Sequence, residues 1–221
     1  MSRICNKAPA PPDGSVTDQS LQSLYERVDG PIATGSAHFM RAGSELHLMH
    51  SDLELGDARK AALRVRCAAA AVRTALVEYR TSHRVAQELG FYPVHDERLR
   101  LAGGGVAPVR ETLRAAREAN LVQLDRVSIE AVARRHEEGG DEAAFGHFVS
   151  ELTAFSAELE GFAAQATQAG PADWQPLAWQ LLTGFDRIRI YGQALAVVNI
   201  LAMGPPRPAR TPTASTASTA P

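Results

Sequence analysis

Lysine, cysteine and long apolar runs are scarce in this chain of 221 residues. Two cysteines, Cys5 and Cys67, are too few for a disulfide framework, which favours a reducing, cytoplasmic compartment. No apolar stretch approaches the roughly 20 residues that span a bilayer, and the N-terminus lacks the apolar core of a signal peptide. With only two lysines and a net charge of −2, the chain has no electrostatic reason to bind nucleic acid or a membrane surface.

The remaining composition is that of a globular protein, with 45% hydrophobic and 22% charged residues. Residues 1–14 are rich in proline and predict a flexible arm. Residues 204–221 are low-complexity Pro, Thr, Ser and Ala, a composition that cannot bury enough apolar surface to fold. We therefore expect one domain over residues 15–203.

Apolar residues recur at helical spacing throughout that domain, and no useful segment alternates with period two. The sequence predicts an all-α bundle of about five long amphipathic helices. We expect the first over 16–55, interrupted near Gly30-Pro31 and Gly35, and the second over 57–90 with Asp57 as N-cap. Three more are expected from Pro108 to Gly139-Gly140, from Asp141 onward, and after Gly170-Pro171.

Two of these helices carry distinct inward stripes. In the third, the spacing predicts that Leu113, Ala116, Leu124, Val127 and Ala131 face the core. In the fourth, a heptad seam is formed by Phe145, Phe148, Leu152, Phe155, Leu159 and Phe162.

Several familiar cofactor sites are excluded by spacing. No histidine follows a glutamate by three residues, as a di-iron carboxylate bundle requires. No Cys-x-x-Cys-His motif is present for covalent haem attachment. The glycines at 103–105 lie between predicted helices rather than after a strand, so they do not form a phosphate-binding loop.

Histidines on the first helix form one candidate group. His38, His47 and His50 lie near Glu45 and Asp52, and a His-x-x-His pair puts two imidazoles on one helical face, as a metal site needs. However, the heptad count turns His47 away from the apolar stripe. A solvated histidine face is therefore the favoured interpretation.

His83 is a second candidate, near the end of the second helix. It flanks the stripe that contains Tyr79 and Ala86, and the alanines at 68–71 leave room for a neighbour to approach. A neutral imidazole in such a gap is able to bind haem iron axially. The alternative, favoured by periodicity alone, is a histidine at the bundle rim that makes one hydrogen bond.

The residues around His83 resemble the proximal-haem helix of the tryptophan and indoleamine dioxygenase superfamily. The resemblance lies in the run Glu78-Tyr79-Arg80-Thr81-Ser82-His83, followed by Leu89-Gly90. The stretch 102–108, with Gly103, Gly104 and Gly105, is similar to the Gly-rich loop of those proteins, most closely in the branch that includes the pyrrolnitrin enzyme. More weakly, residues 43–48 are similar to a distal-side motif, so the matches cover roughly residues 36–120.

The resemblance implies a haem b cofactor with His83 as the axial iron ligand. It also implies that Arg80 pairs with a haem propionate or a nearby acid, and that Gly103, Gly104 and Gly105 bring backbone close to a propionate or to substrate. The family's catalytic distal histidine falls on Arg41 here, and His38 lies about one turn away. The distal polar candidates are accordingly His38, Arg41, His47 and His50.

The resemblance implies that the protein is a haem-dependent oxygenase. The expected substrate is an aromatic small molecule, an indole or phenol related to Trp or Tyr, with O₂ or peroxide as oxidant. A homo-oligomer is expected. Two alternatives stay open: a non-enzymatic helical bundle that oligomerises or binds a protein partner, and a haem sensor without turnover.

Overall fold

A computed structural model describes residues 18–89, 109–118, 124–165 and 174–203, and within these ranges it contains five helices and no strand. The helices are α1 (Asp18–Glu54), α2 (Ala58–Leu89), α3 (Val109–Glu118), α4 (Arg126–Gln165) and α5 (Trp174–Met203). The predicted all-α bundle is confirmed. The predicted arm, the helix end at Gly90, the glycine loop at 103–105 and the tail lie outside the described residues.

A tight turn joins α1 and α2 into an antiparallel hairpin. Gly56 has a φ of 78°, a left-handed conformation that favours glycine. Asp57 then caps α2 as predicted, because its Oδ1 accepts a hydrogen bond from the Lys60 amide at 3.0 Å. Farther along, Arg64 of α2 bridges to Glu45 of α1 at 3.1 Å. The apolar stripe predicted for α2 is buried along its length, from Val65 to Ala86.

The predicted interruption of the first helix is wrong, because α1 continues through Pro31 and Gly35. Gly35 is a contact point: a Cβ built there would lie 3.3 Å from the Ala75 carbonyl oxygen and from the Tyr79 ring. One turn before Pro31, the Val28 carbonyl accepts a hydrogen bond from Ser82 of α2 at 2.9 Å. Packing against α2 therefore stabilises the helix where its own sequence is weak.

The predicted third helix is in fact two elements, α3 and the first part of α4. Asp125 starts α4 afresh, since its Oδ1 accepts from the Ser128 amide at 2.6 Å. This new start shifts the helical phase of the residues that follow. Val127, predicted to face the core, is 74% exposed, whereas Ile129 and Val132 are buried.

The predicted break at Gly139-Gly140 is confirmed, because both residues have non-helical backbone angles and form a kink that divides α4 into two helical segments. Gly140 has φ 66° and ψ −153°, a combination that is essentially restricted to glycine. Beyond the kink the predicted seam is confirmed, with Phe145 half-buried and five further residues buried: Phe148, Leu152, Phe155, Leu159 and Phe162.

Helix α5 packs closely on α1 and α4, because aromatic rings lie directly on glycine residues where these helices cross. Gly43 of α1 lies under the Phe185 ring, which also stacks on Phe39 with centroids 4.5 Å apart. On the other side, Gly184 and Gly192 of α5 lie against rings of α4. Aromatic rings fitted to glycines thus fix the position of α5.

Replacing Gly43 by alanine should destabilise the fold. The new Cβ would lie 2.4 Å from Cζ of Phe185, which is too buried to move freely. We expect a loss of about 1–3 kcal/mol in the free energy of unfolding, as for other overpacked cores. The matched control is Gly161→Ala, because a Cβ at Gly161 meets nothing within 4 Å. It should stabilise α4 by about 0.5–1 kcal/mol. Urea unfolding measures both, and equal effects of the two alanines would contradict the packing.

Candidate functional site

A cavity of about 280 Å³ lies between α1, α2, α4 and α5. Its walls are largely apolar and carry four aromatic rings, those of Phe39, Tyr79, Phe145 and Phe148. Small residues on three helices border it, namely Ala86, Ala144 and Gly192. The space exists because these side chains are too short to fill the gap beside the kink in α4.

A hydroxyl pair interrupts the apolar wall. Ser36 of α1 and Tyr79 of α2 lie with their oxygens 2.9 Å apart, and both residues border the cavity. Burial raises the pKa of the Tyr79 phenol above its ordinary value, although the hydrogen bond with Ser36 acts in the opposite direction. The phenol is therefore neutral and remains a hydrogen-bond donor near pH 7.

A group of four polar residues also borders the cavity, and we call it the polar rim: His136, Asp141, Arg189 and Gln193. His136 Nε2 lies 3.2 Å from Asp141 Oδ1 across the glycine kink. Arg189 donates from Nε to Asp186 at 3.0 Å and from Nη1 to Gln193 at 3.4 Å. Each basic side chain at the rim thus has an acidic neighbour.

His83, the predicted haem ligand, lies between α2 and α4 rather than in the cavity wall. Its ring is 5.4 Å from that of Phe145, and its Nε2 would be 3.5 Å from a Cβ built on Gly146. Burial lowers the pKa of this imidazole, and the nearby Glu142 carboxylate partly opposes that shift. His83 is therefore a neutral, half-buried histidine at a helix contact.

The surroundings of His83 do not fit a haem in this packing. An axial ligand needs an open slot, as wide as the tetrapyrrole, beside one ring nitrogen. Here the α4 backbone at Gly146 lies against the imidazole. The nearby cavity of about 280 Å³ is also small for a ring system of four pyrroles, since a cavity of about 150 Å³ already holds one benzene. Haem binding stays a prediction of the resemblance.

The other residues that the resemblance assigned are spread over separate surfaces. Arg80 is exposed and donates to Thr153 of α4 at 3.0 Å. The three loop glycines, Gly103, Gly104 and Gly105, lie outside the described residues. Nothing in the described ranges brings Arg80 beside an acid or beside the cavity.

The four distal candidates lie on α1, and none of them borders the cavity. Arg41 and His47 are exposed, in agreement with a solvated face, and His38 is half-buried. His50 lies 3.5 Å from Glu54 and packs on Trp179, with ring centroids 5.1 Å apart. Among the described residues, no group of three or more His, Cys, Asp and Glu side chains is placed to hold a metal.

The residues that do form the site were missed by sequence analysis. Ser36 contacts Tyr79 of α2 and Phe39 stacks on Phe185 of α5, whereas the predicted candidates on α1 were its histidines and Arg41. His136 and Asp141 flank the Gly139-Gly140 pair, which was interpreted only as a break. The sequence feature that could have indicated this part of the site is a basic and an acidic side chain on either side of a Gly-Gly pair.

Comparison with family models, with curated proteins and with solved structures finds no match to this chain. Within the described ranges, none of the helices combines the length and apolar character needed to cross a membrane. The site must therefore be interpreted from its own geometry.

Haemin titration tests the predicted role of His83. Because α4 lies against this imidazole, we expect wild type and His83→Ala to give the same Soret absorption at equal haemin concentration. Loss of the band in the variant alone would contradict the packing described above and support His83 as axial ligand.

Acid should weaken the fold through two half-buried imidazoles, those of His83 on α2 and His147 on α4. Burial lowers the pKa of both His83 and His147 below the ordinary 6.5 of the unfolded chain. The unfolded state therefore binds protons first, and the stabilising contribution, complete above about pH 6.5, is lost as the pH falls toward the folded-state pKa values. Urea midpoints should be lower at pH 5 than at pH 7.5. The double variant His83→Gln, His147→Gln should show a smaller decrease, and an unchanged decrease would exclude these two groups.

Proposed function

We propose that this protein is a ligand-binding helical bundle that takes up a small, largely apolar ring compound in the cavity between α1, α2, α4 and α5. The observation that carries the proposal is the cavity of about 280 Å³, whose apolar walls include four aromatic rings. Apolar pockets with a few convergent polar groups are the usual form of small-molecule sites. The proposal keeps the aromatic small molecule that the resemblance implied, and oxygenase activity and homo-oligomer formation stay predictions.

The volume of the cavity sets the size of the ligand. An engineered protein cavity of about 150 Å³ lined by aliphatic and aromatic side chains stays dry and binds benzene. The cavity between α1, α2, α4 and α5 has nearly twice that volume. A compound of two fused rings, or of one ring with a short substituent, is therefore the expected occupant.

The energetics of packing also favour an occupant. Protein interiors are close-packed, and empty volume costs about 24 cal/mol per Å³ in substituted cores. This cavity opens to the surface beside Met40, which is 55% exposed, so release of water from its apolar walls is the term that favours a ligand here. An apolar ligand also gains dispersion contacts with the ring walls.

Filling the cavity with a side chain should abolish binding. Ala86 is buried in the cavity wall, so Ala86→Leu places three further carbons inside the cavity. The dissociation constant of naphthalene, measured by calorimetry or NMR titration, should rise at least about tenfold, a change that corresponds to about 1.4 kcal/mol. The matched control is Ala70→Leu, which adds the same carbons at an exposed position of α2 and should leave binding unchanged. Absence of saturable naphthalene binding by the wild type, or equal losses in both variants, would contradict the proposal.

A further inference from the structure

We infer that the natural ligand is an uncharged carbonyl compound of one or two rings, whose oxygen accepts a hydrogen bond from the Ser36–Tyr79 hydroxyl pair. This inference rests on the proposed function, because it identifies the chemical class that the same cavity takes.

The hydroxyl pair has one donor proton to spare. Two hydroxyl groups carry two protons, and the bond between Ser36 Oγ and Tyr79 OH uses only one of them. Other hydroxyl residues on these helices, such as Thr34 and Thr74, donate to the carbonyl four residues earlier. Ser36 is turned toward Tyr79 instead, and Tyr79 is only 5% exposed. An unused donor in an apolar wall costs free energy, which an oxygen on the ligand would recover.

The polar rim argues against a charged ligand. His136 lies beside Asp141, and Arg189 donates to Asp186, so each basic side chain of the polar rim already has an acidic partner. Neither base is therefore a dedicated counter-charge for an anionic ligand. Moving a charged group into an apolar chamber without a dedicated counter-charge is far more costly than moving a neutral polar group. The ligand is accordingly uncharged.

A carbonyl oxygen on the ligand is a sufficient partner for the hydroxyl pair. A carbonyl only accepts hydrogen bonds, and the pair offers a single remaining proton. The Ser82 hydroxyl does not supply a second donor, because it is already bonded to the Val28 carbonyl.

Three probes of matched shape test the ligand class. They are 2-acetylnaphthalene, its hydrocarbon analogue 2-isopropenylnaphthalene, in which C=CH₂ replaces C=O, and the anion 2-naphthoate. Dissociation constants are measured for wild type, Tyr79→Phe and Tyr191→Phe. Phenylalanine at 79 keeps the ring wall, and the freed Ser36 hydroxyl is able to turn to its own helix as Thr34 does. Tyr191→Phe is the matched control, because its buried hydroxyl donates to the Ala144 carbonyl and Tyr191 does not border the cavity.

We expect Tyr79→Phe to weaken binding of the ketone by about three- to tenfold, the usual net value of one hydrogen bond. Binding of the hydrocarbon should not weaken, and Tyr191→Phe should leave both probes unaffected. Equal effects of Tyr79→Phe on ketone and hydrocarbon would overturn the carbonyl assignment while leaving the proposed function intact. Tighter binding of 2-naphthoate than of the ketone would overturn the uncharged class and point to Arg189. Failure of all three probes to bind would overturn both proposals.

Discussion

The close approach of α5 to α1 and α4 is the constraint on which the rest of the structure depends. It is possible because rings pack directly onto glycine backbone, with Phe185 on Gly43, Phe155 on Gly184 and Phe148 on Gly192. A methyl group at any of these positions would meet an aromatic carbon at 3.2 Å or less. Phe185 faces α1, whereas Gly184 and Gly192 face α4, so the three contacts together set the distance and the rotation of α5 relative to both helices.

The cavity is a consequence of that same arrangement. The ring of Phe148 serves two purposes, since one edge packs on Gly192 while the ring also borders the cavity. Because α5 is held by its glycines, it brings Arg189 and Gln193 to the rim. The kink in α4 brings His136 and Asp141 to the same rim. The short side chains of Ala86 and Ala144 then leave space between the helices, and this unfilled space is the cavity.

The sequence predicted the fold better than the site, for a physical reason. Burial of one helical face follows from apolar spacing alone, and the predicted stripe residues Tyr79 and Ala86 of α2 are both buried. Which residues face the core also depends on where a helix starts. Because α4 starts anew at Asp125, Val127 faces solvent instead of the core. Likewise, residues five apart lie about 140° apart on a regular helix. No periodicity argument places His136 beside Asp141, and only the glycine conformation of the kink does so.

The haem hypothesis and the observed structure place neighbouring residues of α2 against the open space between the helices. Both require open space beside the second helix, but the hypothesis needs His83 to face it, whereas Ser82 faces it here. Adjacent helical residues point about 100° apart, so exchanging them would require α2 to rotate by that angle. Two hydrogen bonds to α1 oppose such a rotation, from Ser82 to the Val28 carbonyl and between Tyr79 and Ser36, each at 2.9 Å. The rotation would also expose to water the alanines of α2 that are now buried, such as Ala68 and Ala75. The two hydroxyl contacts with α1 therefore decide which side chain of α2 the cavity presents to a ligand.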